Sequence, residues 1–313
     1  MDGILNINKP WGKTSFSVVA MVKRLSGERR VGHAGTLDPA ATGVLPVCLG
    51  QGTRIIEFLA DATKTYQAEI ELGVATDTYD ASGKITQRGD PSNISRGQLE
   101  SALAPFCGLI QQTPPMYSAV KHHGRPLYQL AQSGISVERK SRPTQIHRIE
   151  LIDWQPPVAT VEVVCGKGTY IRALAHDLGQ ALGCGANLRN LVRSRYGPFD
   201  IEDAISLPQL EDAFGYGYWR NFVYPIDAVL SHYAAMIVGD AAGCDIRNGK
   251  PLVLNNGDTT QGTGYPEQNF SASPNFENRC RVYTNDGRFL GVLQFNPEKG
   301  HWQPKKVFPV AGE

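Results

Sequence analysis

From Thr65 to Leu72 apolar and polar positions alternate, with Tyr66, Ala68, Ile70 and Leu72 on one side and Thr65, Gln67, Glu69 and Glu71 on the other. A period of two is that of a half-buried strand. Elsewhere the period lengthens to that of a helix. Val18, Met21, Val22 and Leu25 share one helical face, with Thr14 or Ser15 placed to cap its start and Gly27 to end it. Ser95 followed by Gln98 is a capping box ahead of Leu99, Ala102, Leu103 and Phe106. Residues 44–49 form an apolar stretch, and 158–165 read as a second strand. That strand runs through Gly166-Lys167-Gly168-Thr169 into a helix with Ile171, Leu174, Ala175, Leu178 and Leu182 on one face. Strands interleaved with helices predict a mixed α/β chain of the α+β class.

After about residue 230 the texture changes. Residues 255–278 are rich in Asn, Gly, Thr, Ser and Gln and read as an exposed loop or insertion, flanked by short strand candidates at 281–283 and 289–295. The expected organisation is a large unit over residues 1–230 and a small β-rich unit over 231–313.

Composition narrows the classes. With 313 residues, 41% hydrophobic and 19% charged, the chain is long enough for a substantial core and carries no signature of disorder. The six cysteines are dispersed without CxxC or zinc spacing, and no apolar run reaches membrane-spanning length. The N-terminus has no basic-then-apolar segment, so the expectation is a cytoplasmic protein with reduced thiols and no membrane partner. Net charge is only +1, but it is unevenly spread. Lys9, Lys13, Lys23, Arg24, Arg29 and Arg30 crowd the first thirty residues, and Lys121, Arg125, Arg139, Lys140, Arg142 and Arg148 crowd 120–150. Local basic faces on a neutral chain suit a nucleic acid held in a defined groove, and also suit ordinary solvated surface.

The richest chemistry sits in residues 32–43, Gly32-His33-Ala34-Gly35-Thr36-Leu37-Asp38-Pro39-Ala40-Ala41-Thr42-Gly43. Three glycines and a proline dictate backbone shape there. A rigid loop presenting one carboxylate suits a nucleophile or a base; Asp-Pro is equally ordinary turn chemistry. Other signatures fail on spacing. Trp11-Gly12-Lys13-Thr14 lacks the earlier glycine of a phosphate loop, where Ile7 stands. The acids of 77–83 miss the calcium-loop positions, with Arg88 at the twelfth, and Ile171 stands where a dinucleotide loop needs its third glycine. His122-His123 has no ligand-spaced partner, so neither a metal nor a small-molecule cofactor is expected.

Several segments in order resemble one family, the TruB-type tRNA pseudouridine synthases. They are residues 32–39 with 41–46, Lys64-Thr65-Tyr66, Thr76-Asp77-Thr78 with Asp80 and Gly83, 114–119 with Lys121, Lys167-Gly168-Thr169-Tyr170-Ile171-Arg172, and Gly197-Pro198-Phe199. The resemblance spans residues 3 to about 200 and extends weakly to 246–251. It implies a mixed, largely antiparallel sheet with flanking helices, followed by a PUA-like domain that contacts the tRNA stem, with Lys305 and Lys306 as contributors. It also implies isomerisation of a uridine in the T-loop of tRNA, a reaction that needs no oxidant or hydrolytic metal.

Carried over by position, Asp38 is the catalytic carboxylate, Arg172 its ion-pair partner, and Tyr66 stacks near the base and assists removal of the C5 proton. His33 is the side chain that fills the place of the flipped base. Tyr170 and Leu191 wall the pocket, and Arg54, Lys167 and the basic clusters hold RNA. The expected assembly is a monomer with the T-arm stem-loop. The chain departs from the family at Asn187, often histidine, and at Val192, often arginine. A rival reading, an RNA-binding module without chemistry, shares the basic clusters but does not require Asp38, Tyr66 and Arg172 together. A nucleotide-dependent enzyme would need the phosphate loop that is missing.

Overall fold

The computed structural model describes residues 1–253 and 278–308. β1 (Gly3–Lys9) leads through a loop into α1 (Ser15–Ser26), then β2 (Val31–His33), β3 (Ala41–Leu49), α2 (Ile56–Ala60) and β4 (Lys64–Leu72). An excursion follows, comprising β5 (Val74–Thr76), β6 (Ile85–Arg88), α3 (Arg96–Leu103), β7 (Gly108–Gln112), β8 (Lys121–His122), β9 (Arg125–Pro126) and α4 (Leu127–Gln132). The chain returns in β10 (Arg142–Gln155), β11 (Val158–Cys165), α5 (Ile171–Ala181) and β12 (Ala186–Tyr196), then β13 (Phe199–Asp200), β14 (Ile205–Ser206), α6 (Leu207–Gly215) and β15 (Val223–Tyr224). The last segment holds β16 (Ala234–Val238), α7 (Asp240–Arg247), β17 (Arg279–Thr284), β18 (Phe289–Asn296) and β19 (His301–Val307).

Eleven strands make one sheet with the main order β14-β1-β3-β12-β4-β11-β10-β7; β15 pairs β1, β2 pairs β3 and β13 pairs β12. Only β1–β14 and β3–β12 are parallel. The expectation of a mixed, largely antiparallel sheet with flanking helices holds. β3 and β4 are not neighbours: β12 lies between them, parallel to β3 through Leu191↔Ala41 and Arg193↔Gly43, and antiparallel to β4 through Arg193↔Tyr66. That insertion makes the site.

The local signals act as read. Thr14 caps α1 by accepting from the Ser17 amide at 2.9 Å, and Gly27 ends it in the left-handed region at φ 68°. Ser95 and Gln98 close the capping box of α3, and Ser206 with Gln209 closes a second one on α6. β4 buries Ala68, Ile70 and Leu72, and β11 alternates buried and half-buried residues along its length. α5 lays Ile171, Leu174, Ala175 and Leu178 on the sheet. At about 1.5–3 kcal/mol per large side chain taken from water, those contacts anchor the helix that carries Arg172.

A second cluster on the other side of the sheet joins Ile4, Phe58 and Tyr196 to Tyr233, Val292 and Phe308, so the C-terminal segment shares a core with the main sheet. The C-terminal strands form their own sheet, β16-β17-β18-β19, around Val282, Leu290, Leu293 and Trp302. It has more strands than the two candidates read from sequence. The polar stretch 255–278 lies, except for Asn278, outside the described residues.

Candidate active site

The loop between β2 and β3 is held from every side. Ser15, buried at the start of α1, accepts from the Leu37 amide at 2.9 Å and donates back to its carbonyl at 3.0 Å. The Gly12 amide donates to the Pro39 carbonyl at 2.9 Å. Arg193, buried in β12, donates through Nε to the Val44 carbonyl at 2.7 Å and through Nη2 to the Gly35 carbonyl at 3.0 Å. Gly43 has φ 102°, and a Cβ there would stand 2.3 Å from the Arg193 carbonyl oxygen, so the close β3–β12 approach demands glycine. Leu37 is buried beneath the loop, which leaves Asp38 facing outward.

Asp38 is 43% exposed at its side chain, and Arg172 behind it only 7%. Their charged atoms meet at 2.8 Å, Nη2 to Oδ2. A second carboxylate, Asp80, faces the other end of the guanidinium, Oδ2 at 3.6 Å from Nη1. Arg172 also donates to the carbonyls of Tyr117 at 2.8 Å and Thr78 at 3.3 Å. A nearly buried cation is thereby balanced by two carboxylates and two carbonyls, as burial of a charge requires. Asp80 is fixed in turn, because its Oδ1 accepts from the Thr78 hydroxyl at 2.7 Å and the Ser82 amide at 3.0 Å. The arrangement presents one oriented, solvent-facing carboxylate whose counterion cannot wander.

Tyr66 and Tyr170 lie near enough to the pair to feel the Asp38 charge, and the other expected residues lie on neighbouring elements. Tyr66 is half-buried on β4, cross-strand from Arg193. Burial raises its phenol above the ordinary value of 10, with the Arg193 guanidinium opposing, so it is a neutral hydroxyl at neutral pH. Leu191 lies on β12 beside Ala41 and Ala68. Tyr170 precedes α5, its backbone gripped twice by the Gln112 amide group at 2.7 and 3.0 Å. His33 ends β2 on the edge of the loop that carries Asp38; burial, then the charge of Arg193, lowers its imidazole below 6.5, and Nδ1 is buried without a hydrogen-bond partner among the described residues.

Three residues expected to contact RNA, Lys167, Arg54 and Lys306, also make contacts within the chain. Lys167 is exposed and pairs with Asp61 at 2.6 Å. Arg54 donates to the Val307 carbonyl at 2.6 Å and lies 5.1 Å from the centre of the Phe308 ring, tying α2's approach to the C-terminal sheet. Lys306 pairs with Glu57 at 2.7 Å. Asn187 is buried and donates to the Val74 carbonyl at 3.0 Å, a tie between strands. Sequence reasoning put Lys9 in a basic cluster and Ser15 at a helix start, and assigned none of Lys9, Ser15 and Arg193 to holding this loop. Their signal was absent, since a lysine before Pro10 and an arginine in a polar-looking strand read as surface.

The sequence model described as "TruB family pseudouridylate synthase (N terminal domain)" matches residues 23–171, and that of the "tRNA pseudouridylate synthase B C-terminal domain" matches 172–231. The tRNA pseudouridine synthase B of Dehalococcoides mccartyi (strain CBDB1) is 45% identical over 309 residues, 98% of this chain and 97% of its own. The protein of the same name from Symbiobacterium thermophilum is 52% identical over 213 residues, 67% of this chain and 71% of its own. Among solved structures, a chain of a Cbf5-Nop10-Gar1 complex superposes with a TM-score of 0.72 at 26% identity, over 98% of this chain and 84% of that one. With both family descriptions matched end to end around the Asp38–Arg172 pair, the chain belongs to the TruB family of pseudouridylate synthases.

Proposed function

We propose that this chain is a tRNA pseudouridine synthase that isomerises a uridine of the T-loop, with Asp38 as the reacting carboxylate. The reaction breaks the bond from N1 to the sugar, turns the base, and rebonds it through C5, with one proton lost at C5 and one gained at N1. What supports the reading above all is the Asp38–Arg172 pair: an outward-facing carboxylate oriented by a nearly buried guanidinium. Tyr66 supplies a ring that stacks beside the base and assists removal of the C5 proton.

The uridine is unreachable while stacked, and extruding it costs a few kcal/mol. His33, neutral and carried on the same loop as Asp38, fills the vacated place in the RNA. Tyr170 and Leu191 form the pocket wall. Lys167, Arg54 and the basic stretches of 1–30 and 120–150 position phosphates without reading sequence. Residues 1–230 make up the catalytic unit and 231–313 a PUA-like RNA-binding unit, acting as a monomer on the T-arm in the cytoplasm.

The test is pseudouridine formation in an unmodified T-loop stem-loop, mapped to the nucleotide, with wild type and Asp38→Asn in parallel. Product from wild type alone is the expected result. RNA binding without product from wild type would favour a binding module, and equal activity of the two proteins would remove Asp38 from the centre.

A further inference from the structure

Helix α5 carries Arg172 and His176 four residues apart, and such pairs lie on one helix face. The loop after β5 offers two consecutive residues to that face. Asp80 meets Arg172, and the Tyr79 ring lies flat on the His176 imidazole, centroids 3.9 Å apart and planes within 11°. Tyr79 takes φ 65°, in the left-handed region that non-glycine residues avoid. The turn around it is bonded on both sides: the Tyr79 amide donates to Thr76 at 3.3 Å, the Leu188 amide to Tyr79 at 2.9 Å, and the Ala81 amide to Leu188 at 3.0 Å. An unfavourable backbone conformation persists only where its surroundings over-determine it, and such conformations cluster where geometry serves function.

The ring of His176 does this without its polar atoms. Its Nδ1 is buried with no hydrogen-bond partner among the described residues, and burial, followed by the charge of Arg139, keeps the imidazole below 6.5 and therefore neutral. A flat, uncharged ring is what the contact uses.

We propose that His176 is a positioning residue: stacked on Tyr79, it fixes the left-handed turn that delivers Asp80 to Arg172, and through Arg172 it sets the orientation of Asp38. The proposal rests on the reading of Asp38 and Arg172 as the reacting pair. Two adjacent side chains of one helix face thus grip two adjacent residues of one loop, one by charge and one by stacking.

The experiment combines a double-mutant cycle with hydrogen exchange. His176→Ala should lower kcat on the T-loop stem-loop about tenfold while KM stays within about twofold, the pattern of misplaced groups and not of lost binding. His176→Phe should restore kcat, since it keeps the ring. In an Asp80→Asn background, His176→Ala should add little further loss, because residues acting through one another are not additive. Tyr79→Ala should reproduce the same pattern from the loop side and carries the cycle if His176→Ala fails to fold. Exchange of the Ala81 and Leu188 amides reads the turn without any turnover, and should quicken in His176→Ala and return to wild-type rates in His176→Phe. Unchanged exchange, failure of phenylalanine to rescue, or losses from His176→Ala and Asp80→Asn that multiply independently would each overturn the proposal. Failure of the underlying reading shows separately, as absence of product from wild type.

Discussion

Lys9 and Pro39 meet where β1 ends and the β2–β3 loop turns: the Lys9 ammonium donates at 3.4 Å to the carbonyl of the residue that directly follows Asp38. The same ammonium donates to the carbonyls of Lys13 at 2.7 Å and Pro10 at 3.0 Å, and the side chain is fully buried. One cation therefore gathers the loop after β1 and the loop before β3 into a single unit beside Asp38.

Replacing Lys9 with methionine keeps much of the side chain's length, removes the donor to the Lys13 and Pro10 carbonyls and leaves the Pro39 carbonyl with the Gly12 amide alone. A displacement of about 1 Å at a reacting group costs about 10²-fold in rate. Lys9→Met is expected to lower kcat by that order with little change in KM for RNA, measured by single-turnover and steady-state assays on the T-loop stem-loop.

The same lysine leaves a mark on stability against pH. Burial lowers it to about 8 from an ordinary 10.5, with Asp38 opposing the fall. The unfolded chain therefore binds this proton more readily than the folded one between those values, and stability from this group rises as pH increases through that window. In urea titrations from pH 8 to 10, wild type should gain on Lys9→Met as pH rises. A parallel pair of curves would show that Lys9 is no harder to charge when folded.

Gly43 and Gly12 separate collision from strain. Both have positive φ, 102° and 80°, but a Cβ at Gly12 meets nothing within 4 Å while one at Gly43 runs into the Arg193 carbonyl. Gly12→Ala should cost about 1–3 kcal/mol, the price of the backbone region alone. Gly43→Ala should cost clearly more and lower activity as well, because it pushes β12 and Arg193 away from the loop that carries Asp38. Urea midpoints of the two variants decide it.

Arg172→Lys keeps the charge and loses the fork. A lysine cannot face Asp38 and Asp80 with separate donors while also serving the Tyr117 and Thr78 carbonyls. The variant should bind the stem-loop at near wild-type affinity and turn it over about 10²-fold more slowly, the cost of a misplaced carboxylate. Filter binding and single-turnover rates separate the two.

Much of this architecture is legible in the chain because it is written in local periods. The alternation of β4, the 158–165 strand and the capped helix at 15–26 each need only neighbours within a few residues. Asp38 and Arg172 were legible through the loop and helix-start motifs that carry them. The buried cations were not. In β12, Arg189, Arg193 and Arg195 interrupt the apolar positions and make a central strand look like a solvent-facing one. Only the tertiary pairing shows that Arg193 turns inward to the carbonyls of Gly35 and Val44. Arg54 makes a tie that its sequence neighbourhood does not announce, reaching the Val307 carbonyl 253 residues away. The small sheet at the C-terminus was under-read for a similar reason, since β19 includes Pro304 and several polar residues and is recognisable only beside β18.

The placement of β12 between β3 and β4 bears on how the protein is made. A ribosome releases residues 41–72 well over a hundred residues before 186–196, so the inner edges of β3 and β4 stand open until their shared partner emerges. Closing so distant a contact is slow compared with local pairing, and open strand edges invite association with other chains. The loop that carries Asp38 gains its Arg193 anchor only when that late strand slots in, so a prematurely terminated chain carries residues 32–43 in full and lacks the strand that holds them.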